Sequence, residues 1–334
     1  MDIQFFSYRS SHRWVVLAAA MTIFMGACFM GACKKTGGSG VDEQTLKTFL
    51  SHSPRYTLFN RALQRTHLDS LLGGTNPYTV FAVGDSAMSA AGFSAAGIDS
   101  ADIGILTGIL RYHFVPGSFA STDVQLYQET ILTTADSSFQ AYLEYNNFGL
   151  FYNGIPLVSV DNRLINGLVQ GIQSMARPPI GDVLTTITRT PALRDFGYIV
   201  TEAVNNGNAG ASFNPIVPYI SGTPSSPLTL FLPDNNYFAS LGIDNYAAIL
   251  QQGRSASAFM SQGQYFTSDF IGKNKIIGGP GSGWTNEQFW FSDNGSDFVT
   301  LDNSTVNVII HAHYRIVEPN IVATNGIIHV IESY

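Results

Sequence analysis

Cysteine is almost absent: the 334 residues hold two, Cys28 and Cys33, and none follows position 33. The body of the chain therefore has no disulfide framework, no C-x-x-C motif and no thiolate nucleophile. Packing and hydrogen bonds alone must hold it. Charge is scarce as well. Only 12% of residues are charged, and 24 Asp and Glu against 17 Lys and Arg give a net charge of −7. That balance excludes the basic footprint nucleic acid requires, so no nucleic-acid partner is expected. It also argues against adhesion to anionic lipid through basic patches. Signatures of catalysis are missing too: there is no G-x-S-x-G, H-E-x-x-H, P-loop or dinucleotide fingerprint. The Gly-rich run GGPGSG (278–283) lacks a Lys and a following helix signal, and reads as a loop.

What is present begins with the N-terminus. Arg9, His12 and Arg13 precede an uncharged run from Trp14 to Ala32, the grammar of a secretory signal. The run is about long enough to span a bilayer, which takes roughly 20 apolar residues, so a retained span is the alternative. It is rich in Ala, Gly and Met rather than Leu and Ile, and it ends in FMGACFMGACKK. Gly-Ala-Cys after an apolar residue resembles the lipobox of bacterial lipoproteins. Both Cys28 and Cys33 fit. Cleavage before Cys33 leaves Lys34, Lys35 and the flexible TGGSG as a tether, so Cys33 is the expected lipidation site and Cys28 the alternative. Residues 1–32 then form the signal and 33–41 the tether, and the mature net charge becomes −8.

With 45% hydrophobic residues, 23 Phe and 15 Tyr, the remainder is globular and long enough for two domains. A degenerate repeat supports that division. LKTFLSHSPRYTLF (46–59) matches LTTITRTPALRDF (184–196), with Pro54 and Pro191 137 positions apart. TVFAVGDSAM (79–88) matches TLFLPDNNYF (229–238), 150 apart, and NGLVQGIQ (166–173) matches NGIIHVIE (325–332), 159 apart. The first block reads as a helix pair broken at Ser-Pro or Thr-Pro. The second reads as a buried strand running into a helix, with Asp85 or Asp234-Asn235 as candidate caps. The third reads as an Asn-Gly turn and a final apolar strand. Alternating stretches at 142–160 and 289–301 read as further strands, the latter a hairpin closed at Asn294-Gly295.

This order of motifs resembles the fasciclin domain, a cell-adhesion module. The family's Thr-Val-Phe-Ala-Pro-Thr-Asp signature is matched at 79–88 and 229–238. Its Tyr-His and Val-Pro-Gly are matched by Tyr112-His113 and Val115-Pro116-Gly117. Its closing Asn-Gly-x-x-His is matched by Asn166-Gly167, with Gln170 in the His slot, and by Asn325-Gly326 and His329. The first copy closes on Pro178-Pro179, a pair the second copy lacks; the second also lacks the Tyr-His pair, having SQGQYFTSDF (261–270) near that point. The resemblance implies an α+β fold: two fasciclin-like domains, 42–179 and 180–334, each with N-terminal helices packed on a two-sheet wedge or sandwich. It also implies a non-catalytic binding or adhesion function, with no cofactor.

Few residues compete for another role. His311 and His313 share a strand face but lack acidic or Cys partners at a recognisable spacing, and no metal is expected. Asp293 and Asp297 flank a turn and fall short of a calcium loop. Tyr112 and His113 are the candidates for partner contact that the resemblance supplies; the residues also fit a core histidine supporting the strand before Val115-Pro116. In the long second-copy insertion 272–290, Trp284 lies between Gly283 and Thr285 as a candidate binding aromatic, while Trp290 sits in an apolar run suited to the core. His329 and Gln170 occupy one slot, and each can donate one hydrogen bond and accept another. That points to a structural tie from the closing strand to a nearby loop rather than to catalysis. The partners expected are an envelope or extracellular protein or glycan, and the membrane through the lipid; glycan capture for polysaccharide uptake, or a hydrolase built on an unrecognised carboxylate pair, are the alternative functions.

The anchor is directly testable. Two acyl chains on Cys33, at about 0.8 kcal/mol per buried CH₂, give stable attachment. Cys33→Ser should release the protein to the soluble fraction or block its processing. A fully processed, membrane-bound Cys33→Ser beside a released Cys28→Ser would place the lipid on Cys28 instead.

Overall fold

The computed structural model describes residues 42–205, 227–240, 260–270, 299–301, 308–310 and 314–333. Cys28, Cys33, Trp284, Trp290, the His311/His313 pair and the Asp293/Asp297 turn all lie outside them, as does the chain that would close the 289–301 hairpin, of which Val299–Leu301 is described as a strand.

The first block folds as the helix pair its spacing predicts. Helices span Leu46–His52 and Thr57–Arg65, broken at Ser53-Pro54. They bury Leu46, Leu50, Phe59, Ala62 and Leu63 at helical intervals against the sheet. Strand β1 (Tyr78–Val83) follows, then short helices Asp85–Ala90 and Ala95–Ser100 and the helix Ile103–Tyr112. Six strands complete the unit: β2 (Phe114–Pro116), β3 (Glu129–Thr133), β4 (Gln140–Asn146), β5 (Gly149–Tyr152), β6 (Ile155–Leu164) and β7 (Gly167–Ile172). Their order is β2-β1-β7-β6-β5-β4-β3, with the β1–β7 pair parallel and every other pair antiparallel.

The expected two-sheet arrangement arises from one long strand. The start of β6 pairs with β5 and the rest pairs with β7, and the β6–β7 register shifts twice, between Leu157 and Ser159 and between Ser159 and Asn162. Bulges bend and twist a strand. The consequence is visible in the core: Phe81 on β1 and Tyr152 on β5 have two strands between them in the sheet order, yet their rings stack at 3.9 Å. The two halves of the sheet thus face one another. Between β5 and β6, Asn153 and Gly154 both take positive φ, +50° and +73°, as a type I′ hairpin turn requires.

The second copy repeats the plan. Helices Val183–Arg189 and Arg194–Asn205 lead to β8 (Leu228–Pro233) and helix Asn235–Ser240. Strands β9 (Met260–Gln262), β10 (Val299–Leu301), β11 (Val308–Ile310), β12 (Tyr314–Ala323) and β13 (Gly326–Ser333) run in the order β10-β11-β12-β13-β8-β9. Here too the last strand lies parallel to the first, β13 beside β8, and β12 carries two register shifts.

The two glycines of the Asn-Gly turns are there for close approach. A Cβ on Gly167 would stand 2.0 Å from the Tyr78 carbonyl oxygen, and one on Gly326 2.4 Å from that of Leu228. Any side chain at these positions would push the parallel strands apart.

Candidate functional site

Tyr112 and His113 are placed by a helix end rather than a strand. Tyr112 is the last residue of Ile103–Tyr112 and His113 its C-terminal cap. Both are fully buried. The Tyr112 hydroxyl donates to the Gln140 carbonyl at 3.0 Å and accepts from Asn153 Nδ2 at 2.9 Å; its backbone carbonyl accepts from the Tyr152 hydroxyl. His113 Nε2 accepts from the Ala176 N–H at 3.2 Å, so the proton sits on Nδ1, which donates to the Ile109 carbonyl at 2.9 Å. Burial holds the imidazole neutral, with its pKa lowered to about 4, and raises that of the Tyr112 phenol. The expectation of a partner-contacting Tyr-His pair is corrected by this burial. The pair joins the helix, the β4–β5 hairpin and the segment after β7 into one core.

The Gln170/His329 slot is a tie, as its chemistry suggests. On β7, Gln170 Oε1 accepts from the Asp161 N–H at 2.7 Å, and Nε2 donates to the Phe119 carbonyl at 3.3 Å and to Asp161 Oδ1 at 2.9 Å. On β13, His329 Nδ1 accepts from the Asn320 N–H at 3.2 Å, and Nε2–H donates to the Tyr265 carbonyl at 3.0 Å. Asp161 and Asn320 sit at matching places in the bulged strands, each at positive φ, +55° and +60°. Two different side chains make the same pair of bonds to the same pair of backbone positions.

The surrounding bonds repeat as well. Thr79 Oγ1 donates to the Gly117 carbonyl and accepts from the Phe119 N–H; Thr229 Oγ1 does the same with Gly263 and Tyr265. Asp123 accepts from the Ala120 N–H, and Asp269 from the Phe266 N–H, both at 2.8 Å. Asn166 Oδ1 accepts from the Leu46 N–H and Asn325 Oδ1 from the Val183 N–H. Asp85 is not the cap of its own helix, where Gly84 stands; it reaches across to the Leu58 N–H and the Thr57 hydroxyl, and Asn235 likewise accepts from the Asp195 N–H. Only Asp234 caps locally, accepting from the Tyr237 N–H.

These bonds expose a fourth repeat that the sequence reading missed. GSFASTD (117–123) matches GQYFTSD (263–269), 146 positions apart. The shared Gly-x-aromatic-x-Ser/Thr-x-Asp pattern was visible, but the missing Tyr-His pair before it hid the alignment.

The matched segment also differs in one consequential residue. Where the first copy has buried Ala120, the second has Phe266, whose ring lies 5.6 Å from that of Tyr142 on β4. Asn146 Nδ2 donates to the Ser268 carbonyl at 3.0 Å, and a Cβ on Gly154 would meet Phe266 and Asn320 within 2.8 Å. Beside this contact, Glu129 and Glu144 are paired directly across β3 and β4. Burial, then repulsion from Asp269 and Glu144, raises the Glu129 carboxyl to about 7, an effect its solvent-exposed flank screens in part. Glu144 is buried, with Oε1 accepting from Asn146. Facing carboxylates are what a glycosidase would need, but this pair looks onto the 266–269 segment and none of it lines the open groove near Arg55. Among the described residues, no group of three or more His, Cys, Asp or Glu is arranged to hold a metal ion.

Elsewhere the first copy presents apolar side chains to solvent. Leu126, Tyr127, Tyr145 and Phe148 are 38–57% exposed around the end of β4. They are held together by the Tyr127 N–H, which donates to the Tyr145 carbonyl at 2.7 Å, and by a bridge between Leu126 and Tyr145.

The tie predicts a separable stability effect. At pH 7, His329→Ala should cost about 1–3 kcal/mol by leaving buried groups unpaired, and His329→Gln much less. His329 and His113 are both buried neutral, with pKa lowered to about 4. Their unfolded-state value is higher, so unfolding takes up protons between the two. Stability is full above about pH 6.5 and falls as pH drops toward 4, by on the order of 3 kcal/mol per histidine. Thermal melts of His329→Gln should show a shallower acid loss than wild type. A His329→Ala protein that melts like wild type while losing ligand binding would refute the tie.

Comparison with known proteins agrees with this duplicated frame. Human Stabilin-1 is 25% identical over 146 residues, 43% of this chain and 6% of Stabilin-1, so the chain spans a small part of that relative's length. The structure of a FAS1 domain pair from the insect cell adhesion molecule fasciclin I is 17% identical, covering 82% of this chain and 94% of that one, with a TM-score of 0.33. The family model of the Fasciclin domain matches residues 54–178 and 216–334, well over half of the sequence, and the chain therefore belongs to the fasciclin-domain family, with two copies in tandem.

Proposed function

We propose that this chain is a lipid-anchored adhesion or binding protein of the bacterial cell envelope, with its two fasciclin domains displayed beyond the membrane. Family membership supports binding rather than catalysis as the task. The observation that carries a surface role in this chain is the exposed cluster of Leu126, Tyr127, Tyr145 and Phe148. Grouped apolar and aromatic side chains in water are unfavourable unless a partner covers them, and Tyr and Phe supply large contact area at small entropic cost. The signal-like N-terminus and the lipobox-like Gly-Ala-Cys support the placement. The partner is an envelope or extracellular protein or glycan.

The full chain, immobilised on a surface, should retain native envelope material saturably. Protease and periodate treatment of that material separates protein from glycan partners. Phe148→Asp should reduce retention about ten-fold, the effect of losing one interface anchor, with the melting temperature unchanged. Unsaturable retention of every envelope fraction, or retention unaltered by Phe148→Asp and by Tyr145→Ser, would contradict this reading.

A further inference from the structure

An open groove of about 350 Å³ lies where the Ser53–Tyr56 loop, the turn after β1 and the start of the β6–β7 pair meet. Its position is fixed by backbone bonds: the Asp85 N–H donates to the Arg55 carbonyl at 3.0 Å, and the Gln173 N–H to the Pro156 carbonyl at 3.0 Å. Gly84 forms part of the lining, and the Arg55 side chain crosses it, with Cγ and Nε 3.7 Å from where a Gly84 Cβ would stand. Pro54 and Val158 give short apolar walls, and Arg55, Ser86 and Gln173 are exposed at the rim.

The polar groups of this groove are uncommitted. Among the described residues, the Arg55 guanidinium, the Ser86 hydroxyl and the Gln173 amide make no side-chain hydrogen bond or ion pair; the guanidinium rests 5.9 Å from the Tyr56 ring centroid. The one carboxylate in the lining, Asp85, is engaged with Leu58 and Thr57. An arginine fork with a hydroxyl and an amide beside it matches a ligand carrying a carboxylate and neighbouring hydroxyls.

The internal repeat supplies a control. Positions that frame the groove persist in the second copy, Pro54 as Pro191 and Ile172 as Ile331. Other lining positions do not: Arg55 becomes Ala192, Gly84 becomes Asp234, Asp85 becomes Asn235 and Gln173 becomes Glu332. One frame carries an arginine beside an engaged carboxylate in the first domain, and acidic residues without an arginine in the second. A purely structural role for Arg55 would not explain a lining that loses its arginine and gains acidic residues while its frame stays.

We propose that the first-domain groove binds an acidic sugar, with Arg55 pairing the carboxylate of a hexuronate unit and Ser86 and Gln173 bonding its ring hydroxyls. The volume suits a single sugar unit, at the lower end of the roughly 300–1,000 Å³ usual for ligand sites. The short walls suit a sugar's C–H face better than a peptide side chain. This inference deepens the binding reading and rests on it.

The test is calorimetric titration of the full chain with trigalacturonate and triglucuronate, against the amidated and the neutral trisaccharides. Saturable binding is expected for at least one uronate, at least ten-fold weaker for its amide. Arg55→Gln should weaken it at least ten-fold, and so should Gln173→Glu, which copies the second domain and keeps the test decisive if the first variant folds poorly. Equal binding of neutral and acidic sugars, indifference to both substitutions, or no saturable uronate binding up to about 10 mM would overturn the inference. Retention of envelope material by the same samples separates the two levels. A chain that retains envelope material but binds no uronate refutes the groove alone, whereas one that retains nothing refutes the binding reading.

Discussion

Each domain depends on one crossing point, where a bulged strand, the last strand and a distant loop are fastened by a single side chain. The residue at the bulge, Asp161 or Asn320, has positive φ and an amide that the sheet ladder does not take up. Gln170 or His329 accepts that amide and donates onward to the loop carbonyl of Phe119 or Tyr265. Thr79 and Thr229 fasten the same loop from the first strand. A residue of this kind at positive φ is strained when left alone, so the bonds around it must over-determine its conformation. With no disulfide available in the body of the chain, these buried side-chain bonds do what a covalent staple does in smaller exported domains.

Much of this frame was legible in the sequence. Three repeated blocks pointed to the duplicated α+β fold, and the Asn-Gly pairs marked the turns before the closing strands; that their glycines also let parallel strands approach closely emerged only from the structure. The interchange of Gln and His in one slot identified a bonding role before any geometry was known. Other features could not be read. Asp85 looked like a local cap because caps are local by default, whereas its partners lie 27 and 28 residues earlier. The Tyr112-His113 pair read either as a partner contact or as a core support for the strand that follows. It is a helix end, and a helix end packed into the core can bury both neighbours at once. Trp284, Cys33 and Cys28 fall outside the described residues, so their roles rest on sequence alone.

What the two copies do not share is as informative as what they do. The frame residues recur in kind: Thr79 and Thr229, Asn166 and Asn325, Asp123 and Asp269. Some differences are buried, as with Gln170 and His329, and others change what a contact meets. Phe266 replaces Ala120 and packs against Tyr142 of the first domain, so the substitution converts a core position into an inter-domain contact. Arg55, Gly84 and Gln173 give way to Ala192, Asp234 and Glu332. Duplication followed by divergence at contact positions is the pattern expected when a fold is kept for stability and its surfaces are changed for recognition.

Native-state hydrogen exchange of the Asp161 and Asn320 amides tests the central fastening most directly. Both point to side chains rather than to a strand partner, so an ordinary loop would let them exchange by local fraying. The fastening requires them to exchange only through opening of their whole domain, with the same free energy as the β7 and β13 amides. Fast exchange at Asp161 and Asn320 while those strands remain protected would show that the bonds are incidental and that the sheets hold the fold without them.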